Sequence, residues 1–285
     1  MRRIALLLMC ASGLGTSGFA QDAVSVFGGA HLTAGRYGGD RAVSTLGLSL
    51  GTMATRGRWR LWAAFPYLFQ DAATVRTVGA GMLPVGGTTH SGMSGTSGSA
   101  SGGMMGTGSM NGEVNGSGSG MTGHAGPGDP LLRADATVWE SPSASYRLGM
   151  YSSVKVPLAR ASGGFGTGRW DEAIGGTFAR LRGTFSLLAD LSYWHLGRVA
   201  GDPIRDVSTG TITVARAVGV TGQHLYGSLI ATTPYTSGAD APVQVVAGWS
   251  HRGADRRTFA VTAGAGLTPT APAVSFTATW QWGLR

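Results

Sequence analysis

Cysteine is all but missing: Cys10 is the only one in 285 residues. A disulfide scaffold, a Cys-ligated zinc site and a thiol nucleophile are excluded together once residue 10 is set aside. Lysine is as rare, with Lys155 standing alone among many arginines. Charged residues make up only 13% of the chain and aromatics 8%. Past the N-terminal leader no long segment is apolar throughout, so no helix spans a membrane there. The basic residues form no aromatic-interleaved cluster, which argues against nucleic acid as a partner. No two histidines stand at a metal-ligand spacing such as i, i+4, and no Gly-Lys-Ser/Thr follows glycine runs such as Gly166-Thr167-Gly168. Serine is abundant, but no motif gathers a nucleophile, a base and an orienting acid. The chain is therefore expected to be no enzyme and to need no cofactor.

What is present is glycine, 49 residues of it, far above the usual ~7%. Arg2 and Arg3, the apolar stretch Ile4 to Met9 and the small-residue ending Gly18-Phe19-Ala20 read as a secretory leader over residues 1–20. Residues 21–285 are then one exported domain. Its arginine excess is modest: the formal net charge of +8 becomes +6 without Arg2 and Arg3.

The dominant period in that domain is two. Val274, Phe276, Ala278, Trp280, Trp282 and Leu284 alternate with Ala273, Ser275, Thr277, Thr279, Gln281 and Gly283. Trp59, Leu61, Ala63, Phe65, Tyr67 and Phe69 alternate in the same way with Arg58, Arg60, Trp62, Ala64 and Gln70. One face is greasy and the other small or polar, the pattern of a strand with lipid on one side. Such runs predict strands near 24–36, 41–53, 57–70, 129–140, 143–157, 172–182, 184–196, 206–218, 222–234, 243–251, 256–267 and 272–284. Most reach the ~9–11 residues that a tilted membrane strand needs.

The connections add independent information. Tight gaps at 55–56, 141–142, 183, 220–221 and 252–255 alternate with every long one: 71–128, 158–171, 197–205 and 235–242. Bacterial barrels have short periplasmic turns and long outer loops, with both termini inside. A soluble β-sandwich has no reason to obey that parity. The expected fold is all-β, a closed antiparallel transmembrane β-barrel of about twelve strands in a Gram-negative outer membrane. Its surroundings would be outer-membrane lipid, and outer-membrane assembly machinery would insert it.

On this register Arg58, Arg60, Arg133, Asp135, Arg147, Tyr151, Lys155 and Asp190 point into the lumen. A polar side chain avoids the lipid face, where an Arg or Lys costs ~2–4 kcal/mol at midplane. They are candidates for a wall that selects solutes, and each could instead pair across a filled interior. A second candidate is the low-complexity Gly/Ser stretch 86–128. It carries His90, Met93, Met104, Met105, Met110, Met121 and His124, and thioethers with imidazoles suit copper. The same composition also fits a flexible outer loop with no ligand.

Two segments resemble the outer-membrane transporter-like barrels of the MetA-pathway of phenol degradation family. One is Gly126-Pro127-Gly128-Asp129 opening a strand. The other is Lys155-Val156-Pro157 ending a strand, followed by Gly164-Phe165-Gly166-Thr167-Gly168-Arg169-Trp170-Asp171. The order matches the family's Gly-x-Gly-Asp, Lys-x-Pro and Gly-Thr-Gly-x-x-Asp, with Leu158-Ala159 departing from its Thr-Gly. The resemblance covers roughly residues 126–285 and implies a barrel for uptake of small aromatic or hydrophobic molecules. The alternative function is copper binding through the Met/His-rich loop.

Overall fold

The structure, a computed structural model, describes residues 20–39, 42–71, 75–78, 81–84, 124–159, 165–198, 204–219, 222–253 and 257–284. The leader, apart from Ala20, and the stretch 85–123 with its methionines lie outside these residues.

Three strands open the sheet: β1 (Ala20–Gly35), β2 (Val43–Gly57) and β3 (Trp59–Gln70). A short two-stranded ribbon follows, β4 (Val75–Val78) with β5 (Gly81–Pro84). Next come β6 (His124–Pro127), β7 (Leu131–Glu140), β8 (Tyr146–Lys155) and β9 (Asp171–Arg182). The remainder are β10 (Phe185–His195), β11 (Val207–Ala217), β12 (Gln223–Thr232), β13 (Val243–Arg252), β14 (Arg257–Gly266) and β15 (Val274–Leu284).

Every barrel strand pairs antiparallel with its sequence neighbour, and β1 closes the ring on β15 through Val24↔Leu284 to Ala34↔Val274. Because β6 and β7 both pair with β3, at Tyr67–Gln70 and Trp59–Ala64, they are two halves of one stave. The result is a closed barrel of twelve staves. Full closure leaves no strand of the described barrel with a free edge, which is what a lipid environment demands of a β-structure.

The two halves are joined across a bulge. Gly128 N donates to Pro66 O at 2.9 Å, while Ala64 already pairs with Leu131, so Phe65 alone opposes Asp129 and Pro130. Neither Pro66 nor Pro130 has an amide hydrogen to give, so a regular ladder is impossible at this point. The extra residue turns Asp129 inward, where it is 5% exposed. The strand expected to start at 129 thus reaches up to His124, and the outer connection is shorter than residues 71–128.

Outward side chains form a continuous apolar belt, with Leu50, Leu61, Phe65 and Leu191 each 57–65% exposed. Inward ones are mainly small and hydroxylated; Thr45 and Thr213 are 0% exposed. A water-soluble protein inverts this arrangement, since a contiguous exposed apolar surface of that extent would associate. The belt is a lipid contact. The short connections, at 58, 141–145, 183–184, 218–222 and 253–256, share one end of the barrel with Ala20 and Leu284. That end is the periplasmic rim.

Candidate functional site

The site is the inner wall and the outer mouth above it. Alternation places Arg60, Arg133, Asp135, Arg147, Tyr151, Lys155 and Asp190 on the inward register of β3, β7, β8 and β10. Arg58 is different: it occupies the turn between β2 and β3, exposed at the periplasmic rim, and its carbonyl accepts the Thr137 amide at 2.9 Å.

These side chains are linked. Arg133 Nη2 lies 2.7 Å from Asp135 Oδ1, and its guanidinium sits 3.5 Å over the Tyr151 ring centroid. The Tyr151 hydroxyl donates to Asp190 Oδ1 at 3.0 Å, although Tyr151 is on β8 and Asp190 on β10. Its ring reaches there by lying across Gly175 of β9, opposite Tyr151 in the register. A Cβ at residue 175 would overlap that ring, so the chain Asp135–Arg133–Tyr151–Asp190 depends on a glycine. Arg147 pairs with Glu140 at 2.7 Å, and Arg60 stands directly opposite Asp135. A bulge between Thr137 and Trp139 puts Glu140 opposite Arg147. Strands β11 to β14 supply the other wall, with Thr211, Thr213, Ser228, Ser250 and Thr258 all buried and no charged group among them. Among the described residues the inward face therefore has a charged, paired side opposite a hydroxylated one.

Lys155 lies under the outer mouth, inside the best-buried ionic cluster of the described residues. Its Nζ is 2.7 Å from Asp129 Oδ2 and 3.2 Å from Asp171 Oδ2, with side-chain exposures of 3%, 1% and 0% for the lysine and the two acids. Thr167 Oγ1 at 3.2 Å and the Arg169 carbonyl at 3.4 Å complete its surroundings. The carboxylates are satisfied on their far sides: Ala159 N donates to Asp129 Oδ1 at 2.8 Å and Gly197 N to Asp171 Oδ1 at 2.9 Å. Burying charge is costly unless it is paired and fully hydrogen-bonded, and here it is both. Gly166 passes so close to Asp129 that a side chain there would displace the carboxylate. The cluster ties the bulge, the end of β8, the 165–170 segment, the start of β9 and the β10–β11 connection into one unit.

Two apolar clusters flank it, Leu68 with Ala159 and Phe165, and Ala173 with Trp194, Leu196 and Val207. Tyr235 packs on the second; burial, and after it the charge of Asp171, push its hydroxyl up to about 12. Outside this unit, on the exposed shoulder of the mouth, Asp206 accepts from Leu196 N (3.0 Å), Tyr193 OH (2.8 Å) and His195 Nδ1 (3.1 Å). Partial burial alone would raise the Asp206 carboxyl, but these three bonds outweigh it and hold the group down at about 2.

Sequence reasoning singled out Lys155 but not its partners Asp129, Asp171 and Thr167, nor Glu140 beside Arg147. The first three stand inside the motifs that carry the family resemblance, so a signal was present. Of the loop residues, His124 is an exposed member of β6 opposite Gln70. His90, Met93, Met104, Met105, Met110 and Met121 lie outside the described residues. Among the described residues no group of three His, Cys, Asp or Glu is placed to hold a metal ion.

No family model matches the chain, and no curated protein does. Solved structures do match. The COG4313 outer membrane channel from Pseudomonas putida F1 superposes with a TM-score of 0.63 at 12% identity, over 94% of this chain and 97% of that one. The fold is that of an outer-membrane barrel. More distant are the β domain of the Bordetella autotransporter BrkA (TM-score 0.49, 13% identity, 92% and 99% covered) and the CymD monoaromatic hydrocarbon channel (0.41, 8%, 93% and 90%). With its lipid-facing belt and short-turn rim, the barrel belongs in a Gram-negative outer membrane.

Proposed function

We propose that this barrel is a channel for small, uncharged molecules of aromatic or otherwise hydrophobic character, of the kind implied by its resemblance to the MetA-pathway of phenol degradation barrels. The observation that carries the reading is the composition of the bore. Each cation of its charged wall has a carboxylate beside it, so neither sign of ion is favoured by a surplus of the other. Aromatic faces are also available inside: Phe27 and Trp62 meet edge to face at 6.1 Å, and Tyr151 lies beneath Arg133. At the mouth a solute passes between apolar clusters held in place by the Lys155 cluster. A flat, neutral molecule can shed water there at little cost. Selection is by bore width and by the water a solute must shed, which slows ions of both signs relative to neutral molecules without stopping them, with no chemical step and no cofactor.

Swelling of proteoliposomes tests this. The mature chain should admit a neutral phenyl glycoside faster than a benzenesulfonate of similar size. Uptake no faster than in protein-free liposomes, or faster entry of the sulfonate, contradicts it.

A further inference from the structure

The lipid-facing wall gathers three positive charges near one turn of the periplasmic rim. Arg180, Arg182 and Arg216 are all exposed and all on the outward register near the periplasmic rim. The register sets them around one aromatic ring: Arg182 and Arg216 are the two cross-strand neighbours of Phe185, and Arg180 is paired with Leu187 one step deeper. The Arg216 guanidinium lies 5.4 Å from the Phe185 ring centroid, and that of Arg180 lies 5.6 Å from Tyr146 on the adjoining strand. Between them is an open depression of about 180 Å³ lined by Arg180, Arg182, Phe185, Ser186, Leu187 and Val214. Among the described residues none of the three arginines pairs with a carboxylate.

We infer that this depression binds an anionic phospholipid of the inner leaflet, its phosphate held by the three guanidinia and an acyl chain laid over Leu187 and Val214. The inference rests on the outer-membrane reading. Depth fixes the leaflet: the arginines are within one to three residues of the periplasmic turn at Gly183 or of Ala217, at the level of an outward aromatic row that includes Tyr146, Phe185, Phe259 and Trp282. That row is where a barrel meets headgroups. Guanidinium matches phosphate oxygens two at a time and stacks on aromatic faces, so the Phe185 and Tyr146 rings preorganise two of the three donors. The apolar floor continues the site into the hydrocarbon, which a free phosphate ion would leave unused. The opposite end of β9 carries the reverse charge outward, with Glu172 exposed. Arg257 over Trp282, at 5.7 Å, repeats the guanidinium-on-aromatic arrangement elsewhere on the same rim.

The test uses the full mature chain, refolded and checked for the heat-dependent gel shift of a closed barrel. Lipid retained through detergent exchange is counted by native mass spectrometry from an equimolar mixture of phosphatidylglycerol and phosphatidylcholine of equal chain length. Phosphatidylglycerol should be preferred by roughly fivefold for each arginine engaged. The variant with Arg180, Arg182 and Arg216 all replaced by Gln should fall to near parity, while the all-Lys variant, which keeps the charge, should retain part of the preference. Arg182→Gln alone, the mildest change, should lower it. Equal retention of the two lipids by the unmodified chain, an unchanged preference in the Gln variant, or stronger retention of lipid A than of phosphatidylglycerol overturns the site. A chain that inserts into no vesicle overturns the membrane reading beneath it.

Discussion

Lys155 and Asp129 form an ion pair of 2.7 Å that almost no water reaches, across the bulge where one stave of the barrel changes register. Asp129 is there because two prolines forbid a regular ladder, and Lys155 is the only lysine of the chain. The pair and Asp171 hold the outer mouth to the barrel.

Removing the lysine should therefore be costly. Lys155→Met strands two buried carboxylates, and breaking a buried pair in this way costs about 3–5 kcal/mol. Urea unfolding in lipid vesicles, followed by tryptophan fluorescence, should show that loss. Combining it with Asp129→Asn and Asp171→Asn should recover much of the stability, because no bare charge remains.

Gly175 should tolerate no side chain while Tyr151 is present. Gly175→Ala is expected to destabilise the barrel by about 1–3 kcal/mol, the usual cost of overpacking. The same substitution made in a Tyr151→Ala background should cost clearly less, and the double-mutant cycle over these variants measures the coupling.

Charge balance along the bore makes ion selectivity sensitive to single carboxylates. Glu140→Gln leaves the Arg147 guanidinium without that partner and should move the reversal potential toward anion preference. Arg133→Gln, which takes away the 2.7 Å partner of Asp135, should move it the other way. Salt-gradient recordings distinguish the two signs.

The Asp206 carboxyl is held at about 2 in the folded protein, below its ordinary value of 3.8. A depressed carboxyl stabilises the fold above its unfolded pKa and stops doing so as pH falls through its folded one. The stability advantage of the native chain over Asp206→Asn should be full above pH ~4 and vanish toward pH ~2. Denaturation midpoints of both proteins across that window check the sign.

The staves were legible because the hydrocarbon depth of the membrane accepts little but apolar side chains, so Val274 to Leu284 or Trp59 to Phe69 announce their outward face without ambiguity. Alternation is weakest in the sequence of β1, β9 and β11, and Gly175 shows one cause: an inward position there is a bare backbone roofed by a ring from the adjoining strand. Period alone marks such a position as empty. Glu140 was hidden by a bulge that shifts the face it occupies, and Arg58 was assigned inward by parity although the turn, expected at 55–56, lies at residue 58 itself. The partners of Lys155 are remote in sequence, and only the bulge at Asp129 and the fold of the 165–170 segment bring them together. Hydrophobic pattern records a side chain's surroundings, not its partner.

The central claim is that a closed barrel in lipid encloses a passable, charge-balanced bore. Planar-bilayer recording of the purified mature chain under a KCl gradient tests it most directly. Discrete conductance steps with potassium and chloride permeabilities within about a factor of two of each other are expected, from the pairing of wall charges that cancels their fields. A bilayer that stays silent although the barrel has inserted, or a strong preference for chloride, would contradict it.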